Sequence, residues 1–83
     1  SLSRYFRSGF TIESSNPDIE YEATEHLAAM KDLAGTILGG LTLAQHEDVA
    51  TKNHIRNQLK QGFNKILQSP MVDEIFFSEW AVQ

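Results

Sequence analysis

The 83-residue chain contains no cysteine. It therefore has no disulfide framework, no thiolate nucleophile and no cysteine-ligated metal, and its redox compartment is left open. Five glycines and two prolines are too few for a collagen-like, disordered or low-complexity chain. Basic residues are outnumbered, seven Lys and Arg against eleven Asp and Glu, for a formal net charge of -4. That balance speaks against a nucleic-acid module held by phosphate contacts. No run of about 18 apolar residues is present, so no segment qualifies as a bilayer span. The chain opens on Ser1 without a basic n-region before an apolar h-region, the pattern of an excised or processed domain whose anchor lies outside it.

What is there is enough to fold. Hydrophobic residues make up 41% and charged residues 22%, and the length fits one domain, residues 1–83, burying about 60% of its unfolded surface. From Leu2 to Glu13 apolar and polar residues alternate: Phe6, Phe10 and Ile12 share one face with Ser8, while Tyr5, Arg7, Thr11 and Glu13 take the other. That period predicts a strand. Asn16-Pro17 then offers an N-cap followed by proline at the first helical position, and Asp18, Glu20 and Glu22 suit the positive end of the helix dipole. Ala23, Leu27, Met30, Ala34, Ile37 and Leu41 recur at helical spacing, predicting a helix over 17–39 that ends at Gly39-Gly40.

Residues 41–47 are compatible with a short strand, a helical turn or a loop. Asp48 caps a second predicted helix, 48–68, that buries Ile55, Leu59, Phe63, Ile66 and Leu67, and Ser69-Pro70 stops it. From Val72 to Val82 the residues are β-branched and aromatic, with apolar side chains on both parities. Such a strand is normally covered on both faces, and two helices cover only one. The expected architecture is α+β: two main helices on a small sheet of two or three strands, completed by residues 41–46 or by another subunit.

Catalytic chemistry finds no frame. His26, His46 and His54 show no i, i+4 pair and no H-E-x-x-H, so they read as exposed or helix-packed histidines, with no metal and no cofactor. No nucleophile elbow and no phosphate-binding loop occurs. The carboxylates of Glu20, Glu22 and Glu25 lie on the polar side of a helix and read as a solvated face. Charge patterning is more informative. Between Asp48 and Asp73 there is no acidic residue, while Lys52, Arg56 and Lys60 repeat at i, i+4, i+8, a basic ridge expected opposite the apolar stripe. Segments 13–25 and 73–79 carry five and three carboxylates. Opposite charges on one small domain permit head-to-tail contact between identical copies, closing into a ring if the rotation allows. Ile75-Phe76-Phe77 and Trp80 would be an aggregation hazard if exposed, with Asp73, Glu74 and Glu79 as charged gatekeepers.

The end of the chain, Val72-Asp73-Glu74-Ile75-Phe76-Phe77-Ser78-Glu79-Trp80-Ala81-Val82-Gln83, resembles the C-terminal signature of the FliL family of flagellar basal body-associated proteins. That signature runs valine, any, acidic, aliphatic, aromatic, phenylalanine, threonine, any, phenylalanine, two aliphatics, glutamine. Upstream, Lys52, Ile55-Arg56, Leu59, Asn64 and Leu67 resemble the family's helix before that strand. Lys31-Asp32, Ile37-Leu38, Thr42 and the strand around Tyr5 resemble its earlier positions. Thr51, Ser78 and Trp80 depart from the usual glycine, threonine and phenylalanine.

The resemblance implies a fold similar to the membrane-scaffold (SPFH) domain of stomatin and prohibitin proteins. It implies a single-pass inner-membrane protein, its N-terminal helix absent from this chain and this domain in the periplasm, forming a homo-oligomeric ring around flagellar stator proteins of the MotA/MotB type and supporting torque. No enzymatic activity and no cofactor go with the family. On this reading Ile75 and Phe77 anchor the interface, Lys52, Arg56 and Lys60 steer an acidic partner, and Trp80 and Phe63 hold the core. The alternative is a stomatin-like membrane scaffold without a flagellar role.

Overall fold

A computed structural model describes residues 2–77. In chain order it holds β1 (Arg4–Arg7), β2 (Thr11–Ser14), α1 (Ile19–Glu25), α2 (Leu27–Gly39), α3 (Leu43–Glu47), α4 (Val49–Leu67) and β3 (Glu74–Phe76). The fold is α+β, and the described strands form one antiparallel sheet in the order β1-β2-β3.

The single strand expected over residues 2–13 is instead a hairpin. Gly9 at φ +76° takes a left-handed conformation that costs glycine little, and Ser8 N donates to Phe10 O at 2.8 Å. The face assignment survives the fold-back, because Phe6 pairs with Ile12 and Tyr5 with Glu13, each couple already sharing a parity. The third strand comes from this hairpin and not from residues 41–46. Those residues enter α3, where Thr42 Oγ1 accepts from Gln45 N at 3.2 Å and Gln45 Oε1 accepts from Thr42 N at 2.8 Å. This reciprocal capping box satisfies two amides that a helix start leaves open.

The first predicted helix is broken in two at His26. Its backbone sits at φ -109°, ψ 14°, outside the helical well, and its Nδ1 lies 2.9 Å from Glu22 O, the carbonyl its own amide reaches at 3.1 Å. Asn16 lies two residues before the N-cap position of α1, Asp18, its side chain accepting from Asp18 N at 2.8 Å. Asp48 caps α4 as expected, accepting from both the amide and the hydroxyl of Thr51 at 2.8 Å. These bonds to the ionised form hold its carboxyl below the usual carboxylate value, the hydroxyl contributing more than the amide. At its other end α4 closes with Gln68 at φ 56°. Gln68 N donates to Lys65 O at 3.2 Å and Ser69 N to Asn64 O at 3.1 Å, the paired bonds of a Schellman motif.

The core lies between the helices and one face of the sheet. Ile55, Leu59, Phe63 and Leu67 of α4 meet Met30 and Ala34 of α2, Ile19 and Ala23 of α1, and Ile12 and Ile75 of the sheet. Phe63 is fully buried, its ring 5.1 Å from that of Phe10 and tilted by 40°, within the range of favourable aromatic contact. Ile66, also expected in this core, is half-buried at its margin. Between α2 and α4 a Cβ on Gly62 would overlap Leu33 Cδ2, so glycine leaves room for the tip of that side chain. Trp80, expected in the core, lies outside the described residues.

Candidate interaction surface

The sheet has one dry face and one wet face. Phe6, Ile12 and Ile75 stand in register on the core side. On the other side the registered rows are Tyr5-Glu13-Glu74 and Arg7-Thr11-Phe76, and no residue of either row is buried. Tyr5 is 54% and Phe76 44% exposed. The Tyr5 hydroxyl donates to Glu13 Oε2 at 3.0 Å, and this bond, with the carboxylate's charge behind it, holds the phenol above its ordinary value.

This geometry corrects the expected place of Ile75. It was expected on an exposed face and is fully buried, while Phe76 points outward. The reason is a parity change at Asp73. Glu74 is paired with Glu13, yet Asp73 N also donates to Glu13 O at 2.9 Å. Two residues thus oppose one, in the manner of a β-bulge. Val72 and Ile75, three apart, are therefore both inside. Phe77 is half-buried and packs against the core cluster. Asp73, expected as a gatekeeper, also accepts from Ser15 N at 2.8 Å through its carboxylate, fastening β3 to the chain that leaves β2.

The basic row is displaced as well. Lys52, Arg56 and Lys60 are each half-buried, so the row borders the apolar stripe of α4 instead of opposing it. At about 100° per residue, Arg56 and Lys60 fall in one arc of the helix with Asn53, Asn57 and Asn64, and Lys52 lies toward the core beside that arc. Arg56 Nη1 donates to Asn53 Oδ1 at 3.0 Å, while its Nε is buried without a hydrogen-bond partner among the described residues. Arg56 and β3 meet at a shallow groove of about 350 Å³, lined by Asn53, Arg56, Asn57, Glu74, Ile75 and Phe76. The two elements singled out in the sequence, the basic row and the apolar strand, are thereby neighbours.

Asn64 supplies what sequence reasoning missed. Its Oδ1 accepts from Val72 N at 2.8 Å and its Nδ2 donates to Val72 O at 3.4 Å, joining the approach to β3 to α4. The sequence marked Asn64 through its resemblance to the family's helix, without a role for its side chain. His46 is buried against α4 and its neighbours, His26 is half-buried and His54 is exposed. Among the described residues no group of three or more His, Asp or Glu could hold a metal ion, and no described helix is long and apolar enough to cross a membrane.

The family model for flagellar basal body-associated protein FliL matches residues 1–83. Neither a curated protein nor a solved structure matches the chain.

Proposed function

The chain belongs to the FliL family of flagellar basal body-associated proteins, and on that premise we propose that it is a non-enzymatic accessory of the flagellar motor. In this reading its copies form a ring around stator units of the MotA/MotB type and support stator assembly and torque in swimming or swarming. The family match over the whole chain carries the proposal. It is supported by the wet sheet face, where Tyr5 and Phe76 expose large aromatic surfaces of the kind that subunit contacts bury. Phe76 takes the anchoring role first given to Ile75, with Phe77 beside it.

The ring reading requires a membrane attachment from an N-terminal helix outside this chain, and it places the domain in the periplasm. Kinship of the fold with the membrane-scaffold domain of stomatin and prohibitin proteins belongs to the same proposal. The test is motility of cells lacking the gene at increasing medium viscosity, combined with photo-crosslinking from position 76 in the complete protein. A defect that grows with load, together with crosslinks both to a second copy and to a stator subunit, is expected. Load-independent, normal swimming without either crosslink would remove the motor assignment.

A further inference from the structure

We propose that the open edge of β3, together with the arc of α4 beside it, binds an extended acidic segment of a partner protein as an additional strand. This deepens the accessory-module reading, on which it rests for the biological setting, by naming the chemistry of one partner. Among the described residues β3 is the last strand in the sheet order, with no strand on its outer side. Its outer edge borders the groove lined by Asn53, Arg56 and Asn57 of α4 and by Glu74, Ile75 and Phe76 of β3. An exposed strand edge is a template for a further strand, with main-chain bonds giving affinity and alternate side chains giving specificity.

The charge of the occupant follows from the register. The core-side row runs Phe6, Ile12, Ile75, so the next residue in that row, on an added strand, comes to lie beside α4 at Arg56. Arg56 and Lys60 stand in that arc, α4 contains no acidic residue, and the Arg56 Nε is buried without a partner among the described residues. A carboxylate at the inward position lies in the field of those two cations. Outward residues of the added strand fall next to Glu74 and Phe76, where a basic or hydroxyl side chain and an apolar one fit respectively. The preferred ligand thus alternates, carboxylates on one parity and mixed polar and apolar residues on the other.

A second copy offering its β1 edge, unpaired among the described residues, fits poorly. Arg4 pairs with the buried Ser14 and so shares the parity of Phe6. Copy-to-copy pairing would bring Arg4 toward Arg56 and Lys60, a like-charge contact.

The test uses the 83-residue chain and two synthetic extended peptides of equal length, one with glutamate and one with lysine on alternate positions, and threonine and valine between. Backbone amide NMR is the readout. The glutamate peptide is expected to shift the amides of Glu74, Ile75 and Phe76 and to bind more weakly as salt rises. Arg56→Glu and Lys60→Glu are each expected to weaken it at least about tenfold and to turn preference toward the lysine peptide. Lys60→Glu serves alone if Arg56→Glu fails to give a dispersed spectrum. Shifts absent from β3, or equal binding of both peptides, would overturn the proposal. So would concentration-dependent changes at these amides that neither peptide displaces, which would assign the edge to a second copy. Lost peptide binding with an intact load-dependent motility defect defeats this site alone, and the reverse outcome defeats the flagellar reading alone.

Discussion

Asn64 holds Val72 by both main-chain polar atoms, accepting from its N–H at 2.8 Å and donating to its C=O at 3.4 Å. A side chain on α4 thereby does for the approach to β3 what a neighbouring strand would do, and it sets where that strand begins. Replacing Asn64 with alanine leaves the nearly inaccessible Val72 with both groups unmatched, at a cost of about 1–3 kcal/mol. Asn64→Asp keeps the shorter bond and should lose less. Urea denaturation reads both; equal losses for the two variants would mean that the carboxamide does not act as a clamp.

Phe63 fills the centre of the core against Phe10 at 5.1 Å. Phe63→Ala should cost about 3–5 kcal/mol, a large fraction of the stability of a domain this small. A cooperative melt close to that of the unaltered chain would contradict the placement.

Neighbouring residues of β3 should behave oppositely. Ile75→Ala removes a fully buried side chain and should cost about 2–5 kcal/mol. Phe76→Ser, at a 44% exposed position, should change folding stability little and instead weaken subunit crosslinking. If thermal melts rank the two the other way, the parity at Asp73 has been misread.

Gly62 and Leu33 form a coupled pair, because a Cβ at residue 62 would collide with Leu33 Cδ2. Gly62→Ala should cost at most about 1 kcal/mol through overpacking, because the colliding atom is the tip of the half-buried Leu33 side chain, which can turn aside, and alanine's better helix propensity offsets part of the cost. In a Leu33→Ala background the same change should be much milder. Additive losses in this double-mutant cycle would show that the two side chains do not share the space.

Two exposed groups contribute at opposite ends of the pH range. The Asp48 carboxyl is held below its usual value by Thr51. Its contribution to stability is fully present above the unfolded value near 3.9 and is lost as pH falls through the lower folded value. Tyr5 is raised by Glu13, so its contribution is present below about 10 and lost as pH climbs through the raised folded value. Denaturation midpoints should fall less steeply in acid for Asp48→Asn and in alkali for Tyr5→Phe than for the unaltered chain. Unchanged slopes would contradict both assignments.

Much of this molecule is visible in local sequence. The stripe from Ala23 through Met30 to Ala34, the stripe from Ile55 to Leu67 and the cap at Asp48 each depend on residues a few positions apart, which is the range over which helical geometry acts. The break at His26 escaped because the apolar spacing runs on undisturbed from Ala23 to Leu27, while the histidine ring turns back to a carbonyl of the preceding turn. The basic row was legible as a charge pattern, and its border position follows from helical spacing beside Ile55, Leu59 and Phe63, but its nearness to β3 depends on how that strand packs against α4.

Residue order by itself determined the α+β class, the two apolar helix stripes and the absence of cysteine chemistry, because each resides in composition or short-range periodicity, and it carried the likeness to a flagellar family through the motif that closes the chain. Tertiary structure alone decided that Ile75 faces inward and Phe76 outward, that Arg56 borders the groove, and that Asn64 secures Val72. Strand register is a pairing between distant segments, and one extra residue opposite Glu13 turns every following side chain to the other face.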